Sequence, residues 1–285
     1  MDALLISGSW HPRMAILAPG GEVLWQVEQR KLDWVEVNDA NYADGRLVAA
    51  IRRETASEVL CIRPDLSAGH GWETLWSYTV PHGAENHTCQ ILPGGDVLTA
   101  QVGEDFVRLV ELDANGREKK AIGGPGHPLP GFEQRMPTSH DYLRTAFKTE
   151  NGEYLLAHFC QGYTVRLDGQ GQLLARYPAG GFTARQCADG KVLVSEGDSH
   201  GVSCFSQQGE LLWRVGPNDL PGCSIGFAAD VRMLEDGSVL LANWNGHGGA
   251  KGAAVLRFDP LARKVLWHLD TADEPTISNL QWTKL

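Results

Sequence analysis

The feature that most restricts how this chain can fold is a short repeat, in which a glycine-containing turn is followed by an apolar, β-rich run. The repeat occurs five times, as DGRLVAA (44–50), GGDVLTA (94–100), NGEYLLA (151–157), DGKVLVS (189–195) and DGSVLLA (236–242). Each copy is typical of a β-hairpin, because glycine suits the turn and the apolar run suits a strand. The repeat therefore predicts five similar hairpins.

A second strand pair follows each of these hairpins, and one more copy of that pair lies near the N-terminus. Six outer hairpins result, at residues 14–28, 57–80, 106–123, 163–178, 201–216 and 253–270. A sixth inner hairpin is obtained if the C-terminal ISNLQWTKL (277–285) provides its first strand and the N-terminal ALLISGS (3–9) its second. Both termini are therefore expected to lie in one four-stranded sheet.

Repeats of roughly 40 to 50 residues with four strands each favour an all-β fold, a six-bladed β-propeller with four antiparallel strands per blade. A lone four-stranded sheet cannot bury both faces and must stack on its neighbours. We therefore predict one propeller domain over residues 1–285, closed by the N- and C-terminal strands in one blade. Tryptophans that recur in the last strand of a blade are assigned to packing between blades, because repeated positions are structural: Trp25, Trp76, Trp213 and Trp267.

Composition and charge narrow the range of partners. The 285 residues are 42% hydrophobic and 21% charged, which is enough apolar material for a sizeable core. The net charge of -10 repels phosphate backbones and anionic lipid surfaces, so neither nucleic acid nor a membrane is expected as a partner. If Met1 is the true start, the absence of a signal-peptide pattern predicts a cytoplasmic protein. The six cysteines occur singly, which favours free thiols over a disulfide framework.

Strand direction predicts where a functional site lies. Because the strands of a blade alternate in direction, the loops between second and third strands share one face with the starts of the innermost strands. These loops, at residues 8–13, 158–162, 196–201 and 243–252, contain unusual polar and aromatic residues. We therefore predict a site at the axial channel for a polar or anionic small molecule, such as a carbohydrate or an ester. Its candidate binding residues are Trp10, His11, Glu36, Glu85, Arg185, Asp198, His200, Asn243, Trp244 and His247.

Two interpretations of this site stay open. In the first the protein is an enzyme, with His87 or His140 as general base or nucleophile and Arg144 stabilising an anion, which makes these three the candidate catalytic residues. In the second the same face holds a ligand or a protein without chemistry. A divalent metal bound by histidines from several blades, with Glu85 or Asp198 as a carboxylate ligand, is compatible with the first interpretation.

The apolar strands that end in LW after a G-E turn or its equivalent resemble those of quinoprotein-like (PQQ-repeat-like) propellers over essentially the whole chain. The quinone itself is not expected, because the chain has six predicted blades and no adjacent cysteine pair. NHT-x-x-x-LPGG (86–95) and SHD (139–141) are similar to motifs of arylsulfotransferases. That resemblance implies roles for His87 and His140, with Arg144 or Arg185 binding a sulfuryl group. The GSW (8–10), GD-x-H (197–200) and NW-x-GH (243–247) loops resemble those of bacterial propellers without an assigned activity.

Overall fold

The protein consists of six four-stranded antiparallel sheets, so the predicted six-bladed β-propeller is confirmed. The structure is a computed structural model that describes residues 1–8, 13–27, 33–134, 136, 138–139, 142–244, 253–269 and 277–285. It divides into two compact units, residues 1–139 with 278–285 and residues 140–277. The described residues include no α-helix. The two described 3-10 turns, Pro81–Gly83 and Pro93–Gly95, are too short to cross a membrane.

The first unit contains three of the sheets. Sheet 1 is formed by β1 (Asp2–Gly8), β2 (Arg13–Leu17), β3 (Val23–Gln26) and β24 (Ile277–Lys284), whose first residue belongs to the second unit. Sheet 2 is formed by β4 (Trp34–Ala43), β5 (Arg46–Arg53), β6 (Ser57–Pro64) and β7 (Trp72–Thr79). Sheet 3 is formed by β8 (Glu85–Ile91), β9 (Val97–Val102), β10 (Val107–Leu112) and β11 (Glu118–Gly123).

The second unit contains the other three sheets. Sheet 4 is formed by β12 (Leu143–Lys148), β13 (Tyr154–His158), β14 (Tyr163–Leu167) and β15 (Leu173–Tyr177). Sheet 5 is formed by β16 (Thr183–Gln186), β17 (Val192–Ser195), β18 (Val202–Phe205) and β19 (Leu211–Val215). Sheet 6 is formed by β20 (Ala228–Met233), β21 (Val239–Asn243), β22 (Val255–Asp259) and β23 (Lys264–Leu269).

The terminal strands lie in one sheet, as predicted. Strand order in sheet 1 is β24, β1, β2, β3, so the C-terminal strand is the neighbour of the N-terminal one. The backbone N–H of Leu285 donates to the carbonyl of Met1 at 2.9 Å, and the Met1 amino group donates to the Leu285 carbonyl at 3.2 Å. The buried amide of Asn279 in β24 also donates to the carbonyl of Asn38 in sheet 2. The C-terminal strand thus contributes to two sheets of the first unit.

Several first strands of the sheets are bulged where the candidate residues lie. The register with the second strand shifts across His87 in β8, across Arg144 and Thr145 in β12, and across Ala229 and Asp230 in β20. A bulge interrupts the strict alternation of side chains and re-aims one of them. The bulges therefore coincide with His87, Arg144 and Asp230, so strict alternation does not hold at these positions.

Two of the four recurring tryptophans donate hydrogen bonds to a neighbouring sheet, which is consistent with the predicted packing between blades. The Trp25 indole N–H donates to the carbonyl of Gly71 at 2.8 Å, and that of Trp76 donates to the carbonyl of Ala114 at 2.9 Å. Both acceptors lie in the turn between the third and fourth strands of the next sheet. In the second unit the hydroxyl of Tyr177 makes the corresponding bond to Gln207 of sheet 5, at 3.2 Å.

The core lies between sheet faces and consists mainly of aliphatic side chains. Between sheets 5 and 6 it includes Val202, Val215, Val231, Leu241 and Leu256, each with 0% of its surface exposed. Complete burial of such a side chain stabilises the fold by roughly 1.5–3 kcal/mol. The six cysteines are free, as expected, although Cys160 is exposed.

Candidate functional site

The two units divide the predicted site residues between them. Glu36, Glu85 and His87 belong to the first unit, and Arg144, Arg185, Asp198, His200, Asn243 and Trp244 to the second. Trp10, His11, His140 and His247 lie outside the described residues, so their assignments stay predictions.

Four aromatic rings of the second unit form a continuous group, which we call the aromatic cluster: Phe159, Phe182, Phe227 and Trp244. The Phe227 ring is at its centre, with ring centroids 5.1 Å from Trp244, 5.6 Å from Phe182 and 6.2 Å from Phe159. The Trp244 and Phe182 contacts are edge-to-face, an arrangement that aromatic pairs favour. The cluster brings together residues from sheets 4, 5 and 6.

The cluster lies at one end of these sheets because its members flank the strands there. Phe182 and Phe227 directly precede the first strands β16 and β20, and Phe159 and Trp244 directly follow the second strands β13 and β21. Gly197 follows β17 and pairs through its backbone with Ala228. A Cβ on Gly197 would lie 3.0 Å from Phe159 and 3.3 Å from Phe227, so glycine lets this loop approach the rings closely.

Arg144 adds a cation to the aromatic cluster. Its guanidinium carbon lies over the Phe182 ring at 4.9 Å from the centroid, and 5.9 Å from the centroid of Phe159. Both distances are within the range of attraction between a cation and the negative face of a ring. The side chain is half-buried, on the bulged part of β12. The predicted anion-binding residue is thus placed among aromatic rings.

The Asn243 side chain is hydrogen-bonded to backbone groups beside the aromatic cluster. Its buried side-chain oxygen accepts the backbone N–H of Gly226 at 2.8 Å, and its amide nitrogen donates to the carbonyls of Ser224 at 2.9 Å and Ala253 at 3.1 Å. These bonds hold the segment that ends at Phe227. The Phe227 N–H also donates to the Asn243 oxygen, at 3.5 Å, so a ligand would have to compete with four backbone groups for this amide. Asn243 therefore acts on the cluster chiefly by positioning Phe227.

The EGDSHG loop (196–201) is held by one buried acid. Glu196 accepts hydrogen bonds from Ser203 Oγ at 2.5 Å and from Arg214 Nη2 at 2.6 Å. The Glu196 carboxylate accordingly raises the pKa of Arg214. Asp198 is exposed, and His200, also exposed, has a φ of 54° and donates from Nδ1 to the carbonyl of Gly226. Both predicted residues therefore lie at the rim of this loop.

Arg185 is engaged in a buried ion pair. Its Nε and Nη2 donate to Asp230 Oδ1 at 3.0 and 2.9 Å, and the Asp230 side chain is completely buried. The pair joins β16 to β20, the first strands of two neighbouring sheets. The Arg185 guanidinium is therefore already paired with a carboxylate, whereas the Arg144 guanidinium lies over the Phe182 ring.

In the first unit, His87 is paired with Glu85. The His87 Nε2 and Glu85 Oε2 atoms are 2.9 Å apart, and the imidazole is 2% exposed against 22% for the carboxylate. A carboxylate at this distance orients the ring and selects its tautomer. Glu36, also predicted as a ligand contact, instead accepts a hydrogen bond from Arg52 Nε at 3.2 Å, between paired positions of β4 and β5.

Sequence reasoning identified Trp244 of the aromatic cluster and the neighbouring residues Arg144 and Asn243. It missed the three phenylalanines of the cluster. Phe182 and Phe227 share a signal that was present in the sequence, since each follows a glycine and directly precedes the first strand of a sheet. Phe159 had no such repeat to reveal it. Among the described residues, no group of three His, Cys, Asp or Glu side chains is arranged to hold a metal ion.

Comparison with known proteins supports the fold and leaves the activity open. No protein-family model and no curated protein matches the sequence. A solved protein of unknown function from Bacteroides caccae is 25% identical, with a TM-score of 0.81 over 98% of this chain and 97% of that one.

Two further solved structures are enzymes. The periplasmic gluconolactonase of Pseudomonas aeruginosa is 13% identical, with a TM-score of 0.53 over 99% of both chains. A catalytically inactive virginiamycin B lyase from Staphylococcus aureus, in complex with quinupristin, is 14% identical, with a TM-score of 0.51 over 86% of this chain and 82% of that one. These similarities establish a shared fold. Neither is a quinoprotein or an arylsulfotransferase, so both of those resemblances stay predictions.

Proposed function

We propose that the aromatic cluster and Arg144 bind a small organic anion that carries a flat apolar group. The observation that carries this proposal is the position of the Arg144 guanidinium over the Phe182 ring, 4.9 Å from its centroid. The same residue lies in a cluster of four rings bordered by three of the predicted loops. This proposal narrows the predicted class of ligand from polar or anionic to anionic and partly apolar.

Arg144 suits the anionic group of such a ligand, and the aromatic rings suit its flat apolar group. A guanidinium is planar, permanently charged and weakly hydrated, so it can rest on an aromatic face while its in-plane N–H groups donate to a carboxylate or phosphate. Aromatic rings in edge-to-face contact offer further ring edges and faces to a flat group. The protein as a whole carries a charge of -10, so local attraction at Arg144 has to overcome long-range repulsion of an anion.

Isothermal titration calorimetry with benzoate and its neutral analogue benzamide tests the proposal. Benzoate is expected to bind more tightly than benzamide, and Arg144→Ala should weaken benzoate binding about tenfold or more, in line with a lost charged hydrogen bond. Benzamide binding should change little in the same variant. Phe182→Leu should weaken both probes, because the flat group loses its stacking partner.

Arg176→Ala is the matched control for Arg144→Ala. Arg176 lies over the Tyr163 ring at 5.1 Å from the centroid, on the exposed strand β15. Its replacement removes a comparable cation and ring contact without touching the cluster, and benzoate affinity should stay unchanged. Equal affinity for benzoate and benzamide, or equal losses in the two arginine variants, would contradict the proposal.

A second candidate function is hydrolysis or elimination with His87 as general base. The 2.9 Å contact with Glu85 favours it, because a carboxylate that accepts the Nε2 proton leaves Nδ1 as the basic nitrogen. The likeness to a gluconolactonase and to a lyase makes ring-opening reactions the first to try. The arylsulfotransferase-like alternative uses the same histidine and is open to the same test.

The pH-stat rate of glucono-1,5-lactone hydrolysis measures this second candidate. The protein should accelerate the reaction over its spontaneous rate, and His87→Asn should lower the rate about 100-fold, a usual contribution of a general base. His268→Asn, a change at an exposed histidine of β23, should have no effect. No acceleration by the unmodified protein, or full activity of His87→Asn, would leave a purely binding function.

A further inference from the structure

A second concave surface lies in the second unit, among the turns of sheets 5 and 6 that face away from the aromatic cluster. This groove has a volume of about 620 Å³ and lies between the turn at 187–191, the turn at 234–238 and the turn at 259–263. Trp213 of β19 and Leu266 of β23 contribute side chains to its wall. None of its lining residues belongs to the site described above.

The groove is bordered by the indole of Trp213, which lacks a hydrogen bond that tryptophans at equivalent positions of two other sheets make. Trp25, Trp76 and Trp213 occupy the same register position in the fourth strands of their sheets. Each lies next to the residue at which a bulge shifts the pairing with the third strand. The first two donate their indole N–H to the turn of the next sheet, at 2.8 and 2.9 Å. The Trp213 indole forms no hydrogen bond with any described residue.

The turn opposite Trp213 differs from the turn of sheet 3 that accepts the Trp76 indole N–H. In sheet 6 the turn follows Phe258, which pairs with Val265, so it is one residue longer than that of sheet 3, where Leu112 pairs with Glu118. It also contains Leu261, which is 77% exposed, whereas the turn of sheet 3 has an asparagine and a glycine. The sheet 6 turn that lines the groove is thus longer and more apolar than the sheet 3 turn that accepts the Trp76 indole N–H.

The lining is acidic as well as apolar. Four carboxylates border it against one ammonium: Asp189, Glu235, Asp236 and Asp259 against Lys191. Asp189 forms an ion pair with Lys191 at 2.6 Å, and Asp236 forms one with Arg257, which leaves Glu235 and Asp259 as the unbalanced carboxylates of the lining. Hydrogen bonds from Ser238, together with the nearby Arg257, lower the pKa of Asp236 to about 2, so it is ionised at neutral pH. Exposed leucines and excess negative charge therefore occur together.

We propose that this groove binds a short segment of a partner protein that contains both basic and aliphatic side chains. A backbone carbonyl of the segment accepts the Trp213 N–H, and so replaces the turn contact that the other sheets make internally. Aliphatic side chains of the segment cover Leu261 and Leu266, and a lysine or arginine faces Glu235 and Asp259. The covered leucines and the indole hydrogen bond then provide affinity, and the carboxylates favour a basic segment over an acidic one.

Nuclear magnetic resonance of the ¹⁵N-labelled full chain tests this binding. The Trp213 indole signal is identified as the one missing from Trp213→Phe. The probe is a pool of capped hexapeptides that contain two Lys or Arg and two Leu, Ile or Met, compared with a pool in which Glu replaces every basic residue. The basic pool should shift the Trp213 signal saturably, and the acidic pool should not.

Two variants and a control locate the contact. Leu261→Ser should weaken binding of the basic pool about tenfold, because a leucine covered by the segment loses its buried area. Trp213→Phe, followed through backbone signals of residues 187–191, should weaken it about threefold to tenfold by removing the donor. Leu174→Ser, at a leucine of β15 that is 45% exposed and outside the groove, should leave affinity unchanged.

Several outcomes overturn the proposal. They are the absence of a saturable shift with millimolar basic pool, equal binding of the acidic pool, and equal weakening by Leu261→Ser and Leu174→Ser. A shift of the Trp213 signal when the protein alone is concentrated would assign the groove to a second copy of this chain instead. Binding of benzoate at the aromatic cluster is measured separately, so failure of one proposal leaves the other untouched.

Discussion

At the scale of single residues, burial determines the charge of His158. This histidine ends β13 with 0% of its surface exposed, and its ring lies near those of Tyr142 and Tyr163, at centroid distances of 6.1 and 5.2 Å. Burial lowers the pKa of His158 to about 4, because the charged imidazolium loses its hydration there. The neutral ring is therefore part of the packing next to Phe159 of the aromatic cluster.

The lowered pKa predicts that the fold loses stability in weak acid. Above pH 6.5 both folded and unfolded states hold a neutral His158, so its contribution is complete there. Between pH 6.5 and about 4 only the unfolded state gains the proton, so the free energy of unfolding falls as the pH falls. Between pH 7 and 5 this one group should account for about 2 kcal/mol.

Urea unfolding at pH 7 and pH 5 measures the effect of His158. His158→Gln removes the titrating group, so the difference in unfolding free energy between the two pH values should shrink by about 2 kcal/mol, whatever the absolute stability of the variant. His268→Gln, at an exposed position of β23, serves as control and should keep the full difference. An unchanged pH dependence in His158→Gln would contradict the assigned pKa.

At the scale of secondary structure elements, close backbone contacts decide how connections enter the first strands. Gly181, just before β16, lies so close to the end of β17 that an added Cβ would be 2.0 Å from the carbonyl oxygen of Ser195. That contact is with backbone, which cannot rotate away. Gly190, in the turn between β16 and β17, has a φ of 84° but open space around its Cβ position. The two glycines are thus required for different reasons.

The comparison of Gly181→Ala with Gly190→Ala tests this distinction. Gly181→Ala should lower the free energy of unfolding by at least about 3 kcal/mol or prevent folding, because overlap with backbone forces β16 away from β17. Gly190→Ala should cost only about 1–2 kcal/mol, the penalty of an alanine in the left-handed region. Urea unfolding at pH 7 provides both values, and similar losses would disprove the argument.

At the scale of the whole molecule, the two ends of the chain are hydrogen-bonded neighbours in one sheet. Met1 and Leu285 exchange backbone hydrogen bonds, and β24 covers the inner edge of β1. Residues 277–280 of β24 are buried. A sheet edge left without its neighbour exposes unpaired N–H and carbonyl groups together with apolar side chains. Stability therefore depends on the presence of β24 beside β1, and less on where the chain begins and ends.

This arrangement predicts opposite outcomes for permutation and truncation. A circular permutant that joins Leu285 to Met1 through a short glycine linker, with new ends at the exposed turn between Asn151 and Gly152, should fold with a Tm within about 10 °C of the unpermuted chain. Deletion of residues 277–285 should abolish the cooperative thermal transition. Circular dichroism melts distinguish the two, and a truncated chain that melts cooperatively would refute the predicted role of β24.

The strands and their pairing followed from local sequence, because a turn glycine and an apolar run are properties of a few neighbouring residues. The repeat predicted the hairpins at 44–50 and 236–242, and the incomplete sixth copy predicted the contact of the two ends. The loops at 158–162 and 196–201 could be assigned to one end of the sheets by strand direction alone. These conclusions needed only the order of elements along the chain.

The chemistry of the site depended on partners that are distant in sequence. Arg185 and Asp230 are 45 positions apart, and nothing local shows that they pair or that Arg144 lies over the Phe182 ring. The Asn243 amide is directed to backbone groups of another loop, and β8 is bulged at His87. Trp213 looks like Trp25 in sequence, yet it lacks the bond that Trp25 makes to the turn of the next sheet. The sequence alone determined which elements form and in what order. Tertiary structure decided which polar groups are already paired, because pairing depends on distances of a few ångströms between separate sheets.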